Sequence, residues 1–88
     1  MKLARVIGTV VLSQAIAPYE GRSLHVTQDL NEALELTGDP QVSATWQPVR
    51  EGELVIVEVA REACNAFDPP LPTDTSIIGK VEKVNLAG

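Results

Sequence analysis

The sequence has few aromatic residues and no concentration of positive charge. Its 88 residues include one Phe, one Tyr and one Trp, and seven Lys and Arg are scattered among twelve Asp and Glu, for a net charge of -5 at pH 7. Proteins that bind nucleic acids gather basic and aromatic side chains on one face, where they contact phosphates and stack on bases. The composition therefore argues against a nucleic-acid partner.

Cysteine and histidine are each present only once, as Cys64 and His25. A single cysteine cannot form an internal disulfide, and the two residues lack the repeated spacing of a zinc site. We therefore expect no metal or other cofactor, and a chain that functions in a reducing cytoplasm. His25 is expected at a surface or an interface, and Cys64 is expected to be a buried or half-buried thiol.

The sequence also has no long apolar run. A membrane-spanning helix needs ~20 apolar residues, whereas the run over residues 6–12 is interrupted by Gly8 and Thr9. The basic flank at the start of the chain leads directly into strand-like sequence, without a small-residue cleavage site. We therefore expect neither a signal peptide nor a membrane partner.

The residues that are abundant favour extended backbone. Hydrophobic residues make up 44% of the sequence, and most of them are Val, Ile and Leu. Five segments are predicted to be strands, at residues 3–12, 23–28, 42–46, 54–59 and 75–84. The segment Leu54–Val59 is the strongest of them and is expected to lie centrally. Gly8 and Gly79 interrupt strands, where a bulge, a bend or a close backbone approach is expected.

Turn residues separate the strands, because Pro fixes φ and Gly accepts positive φ. Gly21 and Gly52 each stand in such a predicted turn. The pattern also permits a short helix over residues 29–38 and one or two helical turns over residues 60–66, before a proline-rich loop at 68–72. With no alternation of strands and helices, residues 1–88 are predicted to form a single, mainly β domain, a small and mainly antiparallel barrel.

The titratable residues do not form a catalytic constellation. Cys64 follows Arg61 and Glu62, and a nucleophile also needs a positioned base. Asp68 and Asp74 flank the proline-rich loop, outside the apolar surroundings that a catalytic acid needs, and are expected to serve in turns or caps. We therefore expect the chain not to be an enzyme.

Two side chains have unusual surroundings. Arg5 is a charge within an otherwise apolar strand, so it needs either a partner, such as an acidic residue of a neighbouring subunit, or an exit to solvent at a strand edge. Trp46 lies beside a predicted turn, where a contact surface and core packing are both open alternatives.

Four runs of the sequence form a recognisable series. The first is MKLARVIGTV, and residues 20–28 fit the pattern Gly-x-x-Leu-x-Val-x-Gln. Residues 52–57 fit Gly-(Asp/Glu)-x-Val-Leu-Val, and residues 72–82 are similar to Pro-Val-Asp-x-x-Ile-Val-Gly-Ile-Val-Asp. In this order and spacing, the runs resemble the EutN/CcmL family of bacterial microcompartment vertex proteins over nearly the whole chain.

The resemblance implies a five-stranded OB-like β-barrel with one or two short helices. It also implies a structural homopentamer that caps the vertices of a polyhedral shell, beside hexameric shell proteins, in the bacterial cytoplasm. The alternative is a monomeric OB-like module that binds a small molecule or a peptide, and native mass discriminates the two. If the chain is a shell protein, Arg5, Trp46, Arg50 and Asp74 are the candidate contact residues, and Gly8, Gly21, Gly52 and Gly79 are the candidate structural glycines.

The chain departs from the family pattern in two places. Where the family has Asp-x-x-Gly-Ala-Gly-x-Gly, residues 45–52 read TWQPVREG, and where it has Gly-Ser-Ser-Ala-Arg, residues 60–64 read AREAC. Pro48 and Val49 forbid the close backbone approach that glycine allows, so the family's pore geometry is not carried over. The stiffer and more charged loop predicts that Trp46 and Arg50 help to form a subunit or shell contact, with an exposed turn as the alternative.

Overall fold

The computed structural model describes residues 1–45 and 47–86. Its elements are short, and five of the six are strands. They are β1 (Lys2–Val10), β2 (Ser23–Asp29), β3 (Gln41–Thr45), β4 (Leu54–Val59), α1 (Ala60–Asn65) and β5 (Thr75–Val81). One turn of 3-10 helix spans Ala17–Tyr19 within the long loop between β1 and β2.

The five strands close into a barrel in the order β1-β2-β3-β5-β4. Every neighbouring pair is antiparallel except β3 and β5, which run parallel and share only the residue pairs Ala44–Ser76 and Thr45–Ile77. Closure removes the free strand edges at which a sheet would otherwise aggregate. The predicted mainly β, five-stranded barrel is thereby confirmed.

Two bulges bend the strands so that the barrel can close. Val6 pairs with Thr27 while Gly8 pairs with Val26, which leaves Ile7 without a partner on β2. In the same way, the register between β4 and β5 skips Ile78, next to Gly79. An extra residue in one strand raises the local twist and bends it. The irregularities expected near the two glycines therefore fall one residue before each of them.

Hydrophobic residues pack on both faces of the sheet. The inner cluster fills the barrel and consists of Ala4, Val6, Val49, Val55, Val57 and Ile77. A second cluster lies on the outer face of β2 and β3, where residues that follow α1 cover the sheet. Its members are Leu24, Ala44, Phe67 and Leu71, with Val10, Tyr19 and Ala66 packed against them. The chain thus builds two small cores instead of one large one.

The helix predicted over residues 29–38 is wrong. Strand β2 continues to Asp29, and a turn follows in which Asn31 Oδ1 accepts hydrogen bonds from the backbone N–H groups of Ala33 and Glu35. Leu34 then adopts a positive φ of 63°. An Asn side chain that captures nearby backbone donors competes with helix formation, which accounts for the error. The helical turns expected at residues 60–66 are present as α1.

His25 also departs from expectation. The side chain is only 6% exposed, so the surface position expected for it is wrong. Along β2, the apolar residues Leu24 and Val26 alternate with the polar residues His25 and Thr27. The polar side points into the barrel: Thr27 is buried there, and its hydroxyl is satisfied by that of Ser43 on β3.

Candidate functional site

Of the contact residues selected from the sequence, Arg5 lies on β1, and Arg50 and Asp74 lie in loops. The described ranges hold no group of three or more His, Cys, Asp or Glu side chains placed to bind a metal ion. No helix in these same ranges is long and apolar enough to cross a membrane. Trp46, proposed either as a contact residue or as part of the core, lies outside the described residues.

Arg5 finds its partner inside its own chain. Its Nη1 donates a hydrogen bond of 2.7 Å to the backbone carbonyl of Gly52, in the turn before β4. The backbone of β1 holds the same turn, because the N–H of Gly52 donates to the carbonyl of Val6 over 2.7 Å and Val6 donates to Glu53 over 2.9 Å. Gly52 has a φ of +90°, which only glycine adopts without strain. Arg5 and Gly52 together therefore fix where this turn lies.

The turn that Arg5 anchors carries Arg50 at its tip. The backbone N–H of Arg50 donates to Glu53 Oε1 over 2.6 Å, and the N–H of Glu53 donates back to the carbonyl of Arg50. Glu53 also lies 3.7 Å from the ammonium group of Lys80 on β5. Arg50 is exposed. The turn is thus well tied to the barrel while the guanidinium of Arg50 faces outward.

Val49 lies within residues 45–52, the run that departs from the family pattern. It has a structural role that the sequence analysis missed. Its side chain is 7% exposed and belongs to the inner core cluster. The loop therefore covers one end of the barrel with an apolar side chain. The sequence holds a signal for this role, because Val49 is the one branched aliphatic residue between Thr45 and Leu54.

The loop between β1 and β2 is fastened to the proline-rich segment. The hydroxyl of Tyr19 donates to the backbone carbonyl of Pro72. The guanidinium of Arg22 lies 5.0 Å from the centre of the Phe67 ring, close enough for a cation–π interaction. These contacts hold the two segments together on the outer face of the barrel.

A groove lies beside this junction, with a volume of about 610 Å³. We call it the Val42 groove. Its lining is mostly apolar and consists of Leu12, Tyr19, Leu24, Val42, Cys64, Pro72, Thr73 and Asp74. Asp74 is exposed at its rim, and the backbone carbonyl of Asp74 accepts a hydrogen bond of 2.8 Å from Ala60 at the start of α1. The structure thus brings Asp74 to an apolar surface, away from Arg5 and Arg50.

A second groove, of about 740 Å³, lies between the β1–β2 loop and residues 48–49. His25 is one of its lining residues. Both ring nitrogens of His25 are buried and have no hydrogen-bond partner within the described part of the chain. Ser13, Ser23 and Glu20 also line this groove, but His25 makes no hydrogen bond to any of them.

Comparison with known proteins places this fold in a well-defined group. The family model described as "Ethanolamine utilisation protein EutN/carboxysome" matches residues 1–82. The GrpN pentameric microcompartment shell protein from Rhodospirillum rubrum is 31% identical, with a TM-score of 0.86 and full coverage of both chains. A comparison with proteins of curated function found no match.

Two further solved structures are similar over nearly the whole chain. The carboxysome subunit CcmL is 26% identical, with a TM-score of 0.89, and the match covers 99% of this chain and 92% of that one. The ethanolamine utilization protein EutN from Escherichia coli is 25% identical, with a TM-score of 0.90 and coverage of 100% and 92%.

Proposed function

The chain belongs to the EutN/CcmL family, and on that premise we propose that it forms homopentamers that occupy the vertices of a microcompartment shell in the bacterial cytoplasm, in contact with hexameric shell proteins. Its role is that of a structural shell protein. We propose no catalytic activity for it, because neither ring nitrogen of His25 has a hydrogen-bond partner among the described residues and the Cys64 thiol donates to the backbone carbonyl of Thr73.

One observation carries this proposal. The similarity to a pentameric shell protein extends over 100% of both chains at 31% identity, so the two proteins share the whole barrel with its loops and not a fragment of it. A small barrel with two thin cores also gains stability when part of its surface is buried against neighbours. A cyclic arrangement closes such contacts into a ring.

Four residues remain proposed contact residues, each for a different reason. Arg50 is exposed at the tip of a fixed turn, and Asp74 is exposed at the rim of an apolar groove. Arg5 acts through Gly52, whose carbonyl it binds, and so positions the turn of Arg50. The proposal that Trp46 is a contact residue rests on the sequence alone.

Native mass tests the assembly. Sedimentation velocity at micromolar concentration is expected to give a ring of about 47 kDa, five times the 9.4 kDa chain mass. A 9.4 kDa species under the same conditions would support the rival function, a monomeric binding module whose ligand occupies one of the two grooves.

Shell closure tests the role. Hexameric shell proteins expressed with this chain are expected to form closed polyhedra in electron micrographs, and open or irregular assemblies without it. Arg50→Ala is expected to reduce incorporation into shells. Arg61→Ala removes another exposed arginine side chain, from α1, and serves as the matched control. Equal incorporation of both variants would remove Arg50 from the contact.

A further inference from the structure

We propose that the Val42 groove is one half of the contact between neighbouring subunits in the ring, and that its occupant is a second copy of this chain. This inference rests on the proposed pentamer and assigns a surface to it. The matching half is expected to be apolar, with one basic group opposite Asp74.

The groove is preformed within a single chain. Its floor is the outer face of β2 and β3, to which Leu24 and Val42 contribute. One wall is the β1–β2 loop and the other is the proline-rich segment, and the Tyr19 hydroxyl bonded to the Pro72 carbonyl joins them. The Sγ of Cys64 donates to the carbonyl of Thr73 over 3.1 Å and fixes the far side. A surface that is already ordered binds without a large entropy cost.

The groove leaves apolar side chains in contact with solvent. Val42 lies within a strand of a closed barrel and is nevertheless 51% exposed, and Leu12 is 47% exposed. Within the described chain, no element covers either of them fully. Next to them, Leu24 and Ala44 on the same outer face are buried under Phe67 and Leu71. The outer face is therefore covered at one end and open at the other.

The size of the protein's surface argues that a second chain covers the open end. The chain exposes 5778 Å², whereas a compact monomer of this mass exposes about 5000 Å². The excess of roughly 800 Å² is close to the area that one partner contributes to a single standard interface. The chain is also elongated, with principal extents of 47 × 23 × 22 Å.

The symmetry of a ring decides what the second half must look like. Contacts in a cyclic assembly are heterologous, so the groove of one copy faces a different surface of the next. Several exposed apolar residues lie outside the groove, and among them we assign this role to Ile7 and Ile16, which are 37% and 60% exposed. Because the groove carries one carboxylate and no basic residue in its lining, the facing patch on the next copy must itself carry few carboxylates, although the chain as a whole has a net charge of -5.

A matched pair of substitutions tests the surface. Val42 and Leu36 are 51% and 50% exposed, but Leu36 lies in the acidic loop after β2, away from the groove. Val42→Glu places a charge in the proposed contact and is expected to weaken the ring by about tenfold or more in its dissociation constant. Leu36→Glu adds the same charge elsewhere and is expected to keep the wild-type mass. Sedimentation velocity over a dilution series gives both masses, and circular dichroism reports the fold.

The outcomes are separable. A wild-type chain that is itself monomeric contradicts the proposed pentamer. A wild-type ring that survives Val42→Glu, or that Leu36→Glu disrupts instead, overturns the assignment of the groove and leaves the pentamer standing. If Val42→Glu loses its β-rich spectrum, Leu12→Glu decides the question, because Leu12 lines the same groove from a loop outside the strands. A ring that tolerates Leu12→Glu then overturns the assignment.

Discussion

The hydroxyl group of Ser43 on β3 donates a hydrogen bond of 2.9 Å to the hydroxyl group of Thr75 on β5, in the interior of the barrel. Thr75 in turn donates to the backbone carbonyl of Val42 over 2.6 Å, and the Thr27 and Ser43 hydroxyls lie 2.8 Å apart. Since each hydroxyl has one proton, the series runs in one direction, from Thr27 on β2 to the carbonyl on β3. It strengthens the junction at which the two parallel strands share only two residue pairs.

Removal of the middle hydroxyl is expected to destabilise the barrel. Ser43→Ala leaves the Thr27 hydroxyl without its acceptor and Thr75 without its donor, and an unsatisfied buried polar group costs about 1–3 kcal/mol. Chemical denaturation at a fixed protomer concentration measures the loss. Ser76→Ala is the control, because Ser76 is equally buried and its hydroxyl has no partner among the residues described. Equal losses in both variants would contradict a special role for the hydroxyl series.

Ala60→Gly is expected to stabilise the protein. Ala60 begins α1 with a φ of 55°, in the left-handed region, and its N–H donates to the carbonyl of Asp74. A side chain there costs about 1–2 kcal/mol, most of which glycine avoids. The melting temperature should therefore rise. Ala63→Gly, within the same helix but fully buried, should lower the melting temperature. A lower melting temperature for both variants would show that Ala60 is not strained.

The two glycines near the ends of β4 and β5 are expected to respond differently. Gly52→Ala forces a side chain into a φ of +90° and should cost about 1–3 kcal/mol. Gly79→Ala meets no heavy atom within 4 Å of the added Cβ inside the protomer, so its folding cost should be small. Thermal unfolding compares the two. A lower ring mass for Gly79→Ala with an unchanged spectrum would place Gly79 at a subunit contact.

His25→Phe tests whether the imidazole has a partner in the assembled protein. Its two ring nitrogens are buried and unpaired in the described chain, and replacing such a group by an apolar one of similar shape is nearly neutral or stabilising. We expect the free energy of unfolding to stay unchanged or to increase by up to about 1 kcal/mol. A decrease of about 2 kcal/mol or more in the free energy of unfolding would indicate that a neighbouring subunit supplies a hydrogen bond to His25.

Much of the barrel could be predicted because its strands are locally consistent. Leu54–Val59 is almost wholly β-branched and apolar, and the strand has the predicted bounds. The first and last strands end earlier than predicted, at Val10 and Val81. The periodicity of residues 29–38 predicts a helix, but it does not reveal that the Asn31 side chain accepts hydrogen bonds from two backbone N–H groups. A turn forms there instead.

Which face of a strand is buried depends on partners that are distant in the sequence. The side chains of His25 and Thr27 point inward because β2 pairs with β3 and because the Ser43 hydroxyl on β3 donates to Thr75. Neither interaction can be recognised from the sequence around β2 alone. The partner of Arg5 was missed for the same reason, since it is the backbone carbonyl of Gly52, 47 residues away. Asp74 was identified as a contact candidate, but only the fold brings it beside Val42.

The parallel junction of β3 and β5 has a consequence for the order in which the protein folds. Thr45 and Ile77 must meet across about 30 residues of chain, and such non-local pairings form slowly because closing the chain costs entropy before the contact is gained. The antiparallel pairs on either side, β2 with β3 and β4 with β5, close shorter stretches of chain and can form earlier. The Val42 groove takes its floor from β2 and β3 and a wall from the segment just before β5. A subunit therefore completes this surface only after β5 has joined β3, so a chain folded short of that step offers its neighbours no finished surface to bind.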